Sequence, residues 1–252
     1  MRRHTARPKH YSLEMIGIFG NLSAKALERI QRDCCWQRYE PGEAIVNYLD
    51  LSDDVFFITA GEVRVTIYSK VGKVVSFADL GIGEVFGEYA AVDHRPRSAS
   101  VEARTSCLIA SMTAASFLTV LQTEPAVTLA VLTQLVSRTR SVMRRVYELS
   151  TLQVSVRIQA ELLREANLAS QNGKSARIVP APTHADIANR ISTNREAVTR
   201  EIKRLIEIGI IKRSSDSLWV GDIEHLAQMI HEATGELVED DRWHIPIDFR
   251  KK

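Results

Sequence analysis

The pattern of hydrophobic and polar positions divides the chain into regions of different period. Residues 21–33, NLSAKALERIQRD, place Leu22, Ala26 and Ile30 on one face of a helix. Between about residues 40 and 112 the apolar residues instead alternate with polar ones, and glycines recur between the alternating runs. Short alternating runs that are separated by glycine turns are typical of a small all-β barrel or roll.

A long helix is predicted after Glu124. Pro125 suits the first turn of a helix, and neither Gly nor Pro follows as far as about Leu163. Its apolar positions recur in alternating steps of three and four, at Leu132, Leu135, Thr139, Val142, Val146 and Leu149. A stripe two residues wide per heptad favours pairing with a second helix. We therefore expect a parallel dimer along this helix, the alternative being one amphipathic helix that packs on its own domain.

The C-terminal third has a different order of elements. The Gly-, Pro- and Ser-rich residues 171–183 predict a loop, and ADIANRI and REAVTREIKRLIEI then have helical spacing, the second ending at Gly209. KRSSDSLWVG predicts a hairpin around a Ser-Ser-Asp turn. Helix, short turn, helix and hairpin together are typical of a winged helix-turn-helix, which binds DNA. Beyond about residue 232 the pattern predicts no particular fold.

The composition is that of an ordinary globular protein. The chain has 252 residues, of which 45% are hydrophobic and 25% charged, and its net charge is only +2. Any basic surface for nucleic acid must therefore be local. No apolar run approaches the ~18 residues that a membrane span requires, and no apolar signal region follows the basic start. We expect no membrane partner and a cytoplasmic location.

Enzyme and metal chemistry find little support in the sequence. The three cysteines, Cys34, Cys35 and Cys107, make neither a disulfide framework nor a tetrahedral all-cysteine metal site. We expect reduced thiols, with redox sensing as the alternative. His94 has no partner ligand and is expected to be a loop residue, so no metal is predicted. The chain contains no P-loop, nucleophile elbow or His-Glu metal motif, and we predict that it is not an enzyme.

One stretch, FGEYAAVDHRPRSAS at residues 86–100, combines an acid with a base. If a helical turn begins at Glu88, its N–H groups favour an anion in front of the turn. Arg97 follows nine residues later and can hold a phosphate through two parallel hydrogen bonds. Glu88 would repel the phosphate but could accept from a sugar hydroxyl on the same ligand. The alternative is an internal Glu88–Arg97 salt bridge that closes a loop.

This stretch resembles, without gaps, the phosphate-binding cassette of cyclic-nucleotide-binding domains. The resemblance implies that Glu88 takes the ribose 2′-OH and Arg97 the cyclic phosphate. It also implies a surrounding shell formed by four further residues of the cassette, namely Gly87, Tyr89, Ala90 and Ser98.

The segment RISTNREAVTREIKRLIEIGII is similar to the recognition segment of the CRP/FNR family of bacterial transcription regulators. Both halves of the chain, over about residues 20–222, therefore resemble one family in the same order. The resemblance implies a homodimer that binds an inverted repeat of TGTGA-like half-sites and that contacts RNA polymerase. Ser192 departs from the family, which usually has Gly in the turn between the two helices. A serine in a left-handed conformation there would cost about 1 kcal/mol.

The chemistry of the recognition segment agrees with base recognition. With Asn194 as N-cap, Arg195, Glu196 and Arg200 fall in the first two turns of the second helix. Arginine can donate to guanine O6 and N7, and glutamate can accept from cytosine N4. Asn194 and Thr199 complete the predicted DNA-binding group, and Lys203 is expected to contact phosphate. The alternatives are a Thr193–Glu196 capping box and a Glu196–Arg200 pair along the helix.

The identity of the nucleotide is less determined. In cAMP-responsive members of the family a Thr-Ser pair on the long helix holds the base, and an ungapped alignment places Val142 and Met143 there. Neither side chain has a hydroxyl group, although Thr139 lies one turn earlier as a substitute. We therefore expect an allosteric ligand that is cAMP, cGMP or both. The alternative is the same DNA-binding regulator acting without nucleotide, either constitutively or through its thiols.

Together these patterns predict an α+β fold with a jelly-roll-like β-roll sensor domain, a long dimerisation helix and a winged helix-turn-helix. The predicted division is a flexible tail at 1–20, the β-roll at 21–124, the dimerisation helix at 125–156, the winged helix-turn-helix at 157–222 and an extension at 223–252. Ligand binding is expected to reposition the recognition helices. The sequence does not predict the target genes or the sign of regulation.

Overall fold

The structure, a computed structural model, describes residues 12–68 and 74–234. These residues form two compact units, which divide between Val136 and Ser137. The helices are α1 (Ala24–Arg32), α2 (Glu88–Asp93), α3 (Ala114–Thr123), α4 (Pro125–Thr151), α5 (Val154–Ala169), α6 (His184–Arg190), α7 (Arg195–Glu207) and α8 (Ile223–Thr234). The strands are β1 (Cys35–Tyr39), β2 (Ala44–Val46), β3 (Val55–Ala60), β4 (Val63–Tyr68), β5 (Val74–Leu80), β6 (Val85–Phe86), β7 (Ser100–Ala103), β8 (Cys107–Met112), β9 (Ala176–Ile178), β10 (Ile211–Arg213) and β11 (Leu218–Val220).

The first unit is built on two four-stranded sheets. Their strand orders are β1-β8-β3-β6 and β2-β7-β4-β5, and every pairing in them is antiparallel. Apolar residues from both sheets, among them Ile58, Val63 and Ile109, are buried together in one core. This is the predicted β-roll, and the predicted α+β class is confirmed.

The chain from Ser12 to Gly20 is part of that unit, whereas the sequence pattern predicts a flexible tail over residues 1–20. Two short 3-10 turns, Leu13–Met15 and Gly17–Phe19, bury Leu13, Ile16 and Phe19 against the core. The physical reason is their spacing of three, because side chains three apart lie on the same side of a 3-10 turn. Residues 1–11 lie outside the described residues.

The long helix ends earlier than the pattern indicates. A single helix is predicted over 125–156, but α4 ends at Thr151 and α5 begins at Val154. Gln153 between them is extended, with φ −63° and ψ 154°. Val156, Ile158 and Leu162 of α5 are buried in the core of the second unit. Burial of this face in a different core accounts for the break, which leaves no Gly or Pro signal in the sequence.

The second unit is a winged helix-turn-helix, as predicted. Its three-stranded sheet has the order β10-β11-β9, and the turn between β10 and β11 is closed by the Ser214 N–H, which donates to the Ser217 carbonyl oxygen at 2.9 Å. Strand β9 lies within the predicted loop 171–183. The predicted extension at 223–252 begins with α8, whose Ile223, Leu226 and Ile230 are buried in the same core. Residues 235–252 lie outside the described residues.

Among the described residues, no single helix has the length and apolar character to cross a membrane. The pair α3 and α4, bent by 111° at their junction, meets that criterion jointly by length and composition only.

Candidate functional site

Gly87 connects β6 to α2 and occupies a position that only glycine fits. Its φ of 86° is left-handed, and it is the N-cap residue of α2. A Cβ atom on Gly87 would lie 2.7 Å from the Asp54 carbonyl oxygen and 2.8 Å from Nη1 of Arg97. Backbone conformation and close approach therefore both require glycine at the start of the cassette.

Arg97 is buried, and its guanidinium donates to three acceptors of the same unit. Nη1 donates to the Gly87 carbonyl oxygen at 3.0 Å and Nη2 to the Asp54 carbonyl oxygen at 2.9 Å. Nε donates to the Ser52 hydroxyl at 3.0 Å. The guanidinium also lies 5.5 Å from the centre of the Phe56 ring. Arg97 thus joins the two ends of the cassette to each other and to the segment between β2 and β3.

The backbone of Arg97 makes further bonds to that segment. Its N–H donates to the Asp50 carbonyl oxygen at 2.9 Å, and its own carbonyl oxygen accepts from the Leu49 N–H at 3.0 Å. Leu49 has a left-handed φ of 67°. The sequence patterns did not single out residues 47–54 as part of the site, because these bonds go mainly to backbone atoms and leave no residue signature.

The other predicted ligand residues of the cassette divide into two groups. Glu88 and Ala90, in the first turn of α2, are buried like Arg97, with 4% and 3% of their surface exposed. Tyr89 and Ser98 are exposed. The structure therefore buries Glu88, Ala90 and Arg97, bonds Arg97 to the partly buried Gly87, and places Tyr89 and Ser98 at the surface.

His94 ends α2. It has a left-handed φ of 56°, and its N–H donates to the Ala90 carbonyl oxygen at 3.1 Å. This is the loop role expected for it. Among the described ranges 12–68 and 74–234, no group of three or more His, Cys, Asp or Glu side chains could hold a metal ion.

The positions that are predicted to contact the base of the nucleotide ligand lie on α4, beyond Val136 and therefore in the second unit. Thr139, Val142 and Met143 are all exposed. The apolar residues of the predicted dimer seam are also largely exposed in the single protomer, at 54% for Leu132, 52% for Val142, 57% for Val146 and 43% for Leu149. A long helix with an exposed apolar stripe has the pattern of a helix that pairs with another helix.

The turn between α6 and α7 has the backbone conformation expected at the position of the departure. Ser192 has a φ of 55°, in the left-handed region that favours glycine. Asn194 caps α7, since its Oδ1 accepts from the Ala197 N–H at 2.8 Å. The N-cap prediction is therefore confirmed, and α7 is capped by Asn194 instead of by Thr193 and Glu196. Upstream, Thr183 and Asp186 form the capping box of α6.

Helix α7 has a buried face and an exposed polar face. Val198, Ile202 and Leu205 are buried in the core of the unit. The exposed residues are those predicted to contact DNA, namely Arg195, Glu196, Thr199, Arg200 and Lys203. Within the part of the chain that the structure describes, no ion pair joins Glu196 to Arg200. The polar face of the first two turns thus presents two guanidinium groups and one carboxylate to solvent.

His184, at the start of α6, is a contact that the sequence patterns missed. Its Nδ1 lies 2.8 Å from the Thr199 hydroxyl, which itself donates to the Arg195 carbonyl oxygen. The Nδ1–H is therefore the donor to Thr199. Burial, together with the nearby charges of Arg213 and Arg195, lowers the pKa of His184. A neutral imidazole thus fixes Thr199 on the exposed face of α7.

Two of the three thiols are shielded. Cys34 Sγ donates to the Ile30 carbonyl oxygen at 3.4 Å, and burial, with the charges of Asp33 and Cys35, raises the pKa of its thiol to about 12. Burial also raises the pKa of Cys107, whose Sγ donates to the Glu62 carbonyl oxygen at 3.2 Å. Cys35 is exposed. Since the thiolate is the reactive form, Cys34 and Cys107 are poorly suited to redox sensing.

Comparison with known proteins agrees with this geometry. A family model described as the cyclic nucleotide-binding domain matches residues 36–124, and one described as the Crp-like helix-turn-helix domain matches residues 156–229. Together the two models cover well over half of the chain. The chain is 26% identical, over 205 residues, to the cAMP-activated global transcriptional regulator Vfr of Pseudomonas aeruginosa, covering 78% of this chain and 94% of Vfr.

Solved structures show the same fold. A mutant of CooA from Carboxydothermus hydrogenoformans superposes with a TM-score of 0.74 at 18% identity, covering 90% of this chain and 98% of CooA. The c-di-GMP responsive global regulator CLP of Xanthomonas campestris superposes with a TM-score of 0.67 at 19% identity, covering 79% of this chain and 99% of CLP. At these identities the likeness concerns the fold alone.

Proposed function

Because this chain belongs to the CRP/FNR family of transcription regulators and carries both a cyclic nucleotide-binding domain and a Crp-like helix-turn-helix, we propose that cyclic nucleotide controls its binding to DNA. It is a DNA-binding regulator and not an enzyme. Its place of action would be the bacterial cytoplasm, where the chromosome lies. The observation that carries the proposal is the burial of Glu88 and Arg97, with 4% and 3% of their surface exposed, within the segment that matches the cyclic nucleotide-binding domain.

The phosphate of the ligand would be held by Arg97. In the described structure its guanidinium donates to two neutral carbonyl groups and one hydroxyl. A phosphate oxygen carries a negative charge, so its bond to the guanidinium adds ion-pair attraction that a bond to a neutral carbonyl oxygen lacks. Exchange of at least one carbonyl partner for phosphate would therefore be favourable, and it would loosen the bond from Arg97 to Gly87 or Asp54. Glu88 would accept from the ribose 2′-OH.

The ligand would be cAMP, cGMP or both. Val142 and Met143 occupy the positions where cAMP-responsive members of the family have hydroxyl side chains, so the adenine-selective contact is missing from those two positions. Thr139 is the hydroxyl group nearest to them along the same stripe. Vfr, the relative described above, is cAMP-activated, so cAMP is the first ligand to test.

The DNA site would be an inverted repeat of TGTGA-like half-sites bound by a homodimer. The exposed apolar stripe of α4 supports pairing with a second copy of this chain, since apolar residues in alternating steps of three and four pack as knobs into holes. Arg195, Glu196, Thr199 and Arg200 would contact base edges in the major groove, with Lys203 on phosphate. The dimer would act on RNA polymerase from that site.

Repositioning of the recognition helices would connect the two functions. Ligand bound at the cassette would favour one arrangement of the paired α4 helices over another. The two α7 helices must lie about one DNA turn apart, near 34 Å, to occupy both half-sites. Nucleotide can change DNA affinity only as far as it binds the two arrangements differently.

A gel-shift titration at fixed salt tests the proposal, with cAMP and cGMP in parallel and a duplex selected from a library built on TGTGA inverted repeats. We expect at least one of the two nucleotides to raise DNA affinity by at least about fivefold. Equal DNA affinity with and without both nucleotides would contradict the nucleotide response. Calorimetry that gave a preference for cAMP over cGMP above about 100-fold, or roughly 2.7 kcal/mol, would contradict control by both nucleotides and leave cAMP alone as the ligand.

One observation favours a second candidate, in which the same regulator binds DNA constitutively. Each of the three guanidinium nitrogens of Arg97 already donates to an acceptor of the protein, so the cassette is held together without a ligand. The thiol version of this alternative is less well supported, because Cys34 and Cys107 are shielded and have raised pKa values. The titration above distinguishes the two candidates directly.

A further inference from the structure

Six charged side chains form a network that joins α4, α5 and α6 inside the second unit. They are the acids Glu148, Glu161 and Glu165 and the bases Arg145, Arg164 and Arg190. Glu148 and Glu161 are buried, with 8% and 4% of their surface exposed. Three charges of each sign cancel, which permits their burial. Neither the sequence patterns nor the DNA-contacting face of α7 accounts for this network.

Arg164 on α5 lies at its centre. Its guanidinium donates to both carboxylate oxygens of Glu148, from Nη1 to Oε1 at 2.6 Å and from Nη2 to Oε2 at 3.2 Å. It also donates from Nε and Nη2 to Oε2 of Glu161, at 3.1 and 2.9 Å. Glu148 lies in the last turn of α4, on the other side of the extended Gln153. One guanidinium therefore connects the helices on both sides of the break.

Glu161 extends the connection to the helix-turn-helix. Its Oε1 accepts from Nη1 of Arg190, the last residue of α6, at 3.3 Å, and Arg190 also contacts Glu165. Burial by itself would raise the pKa of Glu161, but the Arg164 and Arg190 guanidinium groups outweigh it and hold the pKa below its usual range. Glu161 is therefore a carboxylate at neutral pH and attracts both arginines.

Helix α7 is attached to α5 separately. Nε2 of Gln159 donates to Oε1 of Glu201 at 2.7 Å, inside the core of the unit. Arg204 donates to both oxygens of the same carboxylate, at 3.0 and 2.6 Å. Helix α5 thus holds α6 and α7 on one side and the end of α4 on the other.

We propose that Arg164 is a positioning residue for DNA binding, which fixes the orientation of the helix-turn-helix on the last turn of α4. The inference rests on the proposed function, in which α4 pairs with its copy and so sets the separation of the two α7 helices. The alternative to the bridged geometry leaves buried charges without partners, which is strongly unfavourable. The bridge therefore allows one orientation, and one separation between half-sites is expected to follow from it.

The test measures how DNA affinity depends on half-site separation. Wild type, Arg164→Met and Glu148→Gln are titrated with the selected inverted-repeat duplex, with versions in which two base pairs are inserted or removed between half-sites, and with a single half-site. We expect wild type to prefer the original separation. For both variants, the affinity for that duplex should fall about tenfold, while the affinity for the single half-site should equal that of wild type. The affinities of both variants should also differ less between half-site separations than those of wild type.

Arg177→Met is the matched control, because Arg177 also pairs with an acid of this unit but at the surface, where the Arg177 and Asp216 side chains are 64% and 63% exposed. It should behave as wild type.

If Arg164→Met fails to fold, as a loss of binding to the single half-site would show, Glu148→Gln decides, since Glu148 lies outside the helix-turn-helix itself. A wild-type separation preference in Glu148→Gln, or in a folded Arg164→Met, would overturn the inference alone. A wild type that bound the inverted repeat no better than a single half-site would overturn the dimeric mode of binding and the inference with it.

Discussion

The Nη1 atom of Arg97 lies 3.0 Å from the carbonyl oxygen of Gly87, so the later part of the cassette is bonded to its start. The same guanidinium reaches the segment before β3 through Asp54 and Ser52. The side chain that would bind phosphate therefore also holds its own surroundings in place. This double role determines what its replacement is expected to do.

Replacement of Arg97 by leucine should abolish nucleotide binding and also weaken the first unit. The change leaves three acceptors without their donor, and a buried acceptor that is left without a partner costs at least about 1 kcal/mol. We expect a loss of roughly 3 kcal/mol in unfolding free energy, with the chain still folded, measured by urea denaturation and calorimetric titration. Ser52→Ala is the control, because it removes only the Nε contact and should still bind nucleotide. Normal nucleotide binding by Arg97→Leu would refute the phosphate role.

Two glycines with the same backbone conformation should respond differently to alanine. Gly87 and Gly42 have φ values of 86° and 84°, but a Cβ on Gly42 meets no atom within 4 Å. Gly42→Ala should therefore lower the free energy of unfolding only by the cost of a left-handed backbone at alanine, about 1 kcal/mol. Gly87→Ala adds overlap with Asp54 and Arg97 and should cost at least about 2 kcal/mol more, with weaker nucleotide binding. Equal losses in thermal unfolding would mean that the close approach at Gly87 relaxes.

Ser192→Gly should stabilise the second unit. The φ of 55° at Ser192 is unfavourable for a residue with a Cβ, and glycine removes that penalty while increasing the entropy of the unfolded chain. We expect a net gain of about 0.5 kcal/mol in unfolding free energy, without a change in DNA affinity. Denaturation of wild type and variant side by side measures it. Destabilisation by glycine would indicate that the serine side chain has a stabilising contact of its own.

Two exposed residues of α7 should differ in what they contribute to DNA binding. Arg200→Ala should reduce the free energy of binding to the selected site by about 1–3 kcal/mol, because it removes a base contact. It should also weaken the sequence preference at one base pair. Lys203→Ala should weaken binding to all DNA sequences alike and reduce the slope of log affinity against log salt by about one. Gel shifts over a salt series and a set of single-base variants measure both effects. A uniform loss across sequences for Arg200→Ala would place it on phosphate instead.

The thiols should react in a defined order. With its pKa raised to about 12, Cys34 is protonated at pH 8, where about one molecule in ten thousand carries the thiolate. The raised pKa of Cys107 acts in the same direction. We expect iodoacetamide to modify the exposed Cys35 first and the other two only after unfolding, as measured by mass spectrometry of digests. Fast modification of native Cys34 would reopen a role for it in redox sensing.

The sequence by itself determined those features that depend on local periodicity or on a fixed spacing. The alternation between residues 40 and 112 predicted the β-roll because side chains alternate between the two faces of a strand. Asn194 was predictable as the cap of α7 because capping is a contact between near neighbours. The cassette was recognisable because its acid and its arginine are nine residues apart on one short segment.

Only the tertiary structure decided the features that depend on contacts between distant segments. The spacing of three between Leu13, Ile16 and Phe19 is visible in the sequence and fits a 3-10 turn. The sequence does not show that these side chains are buried, because their burial depends on packing against α1 and the roll. The end of α4 at Thr151 follows from the burial of α5 in a second core. The Arg164 bridge between Glu148 and Glu161 joins three positions whose letters could equally belong to solvated helix faces. The physical reason is that burial, which turns an ordinary ion pair into a constraint on geometry, is a property of the packed chain.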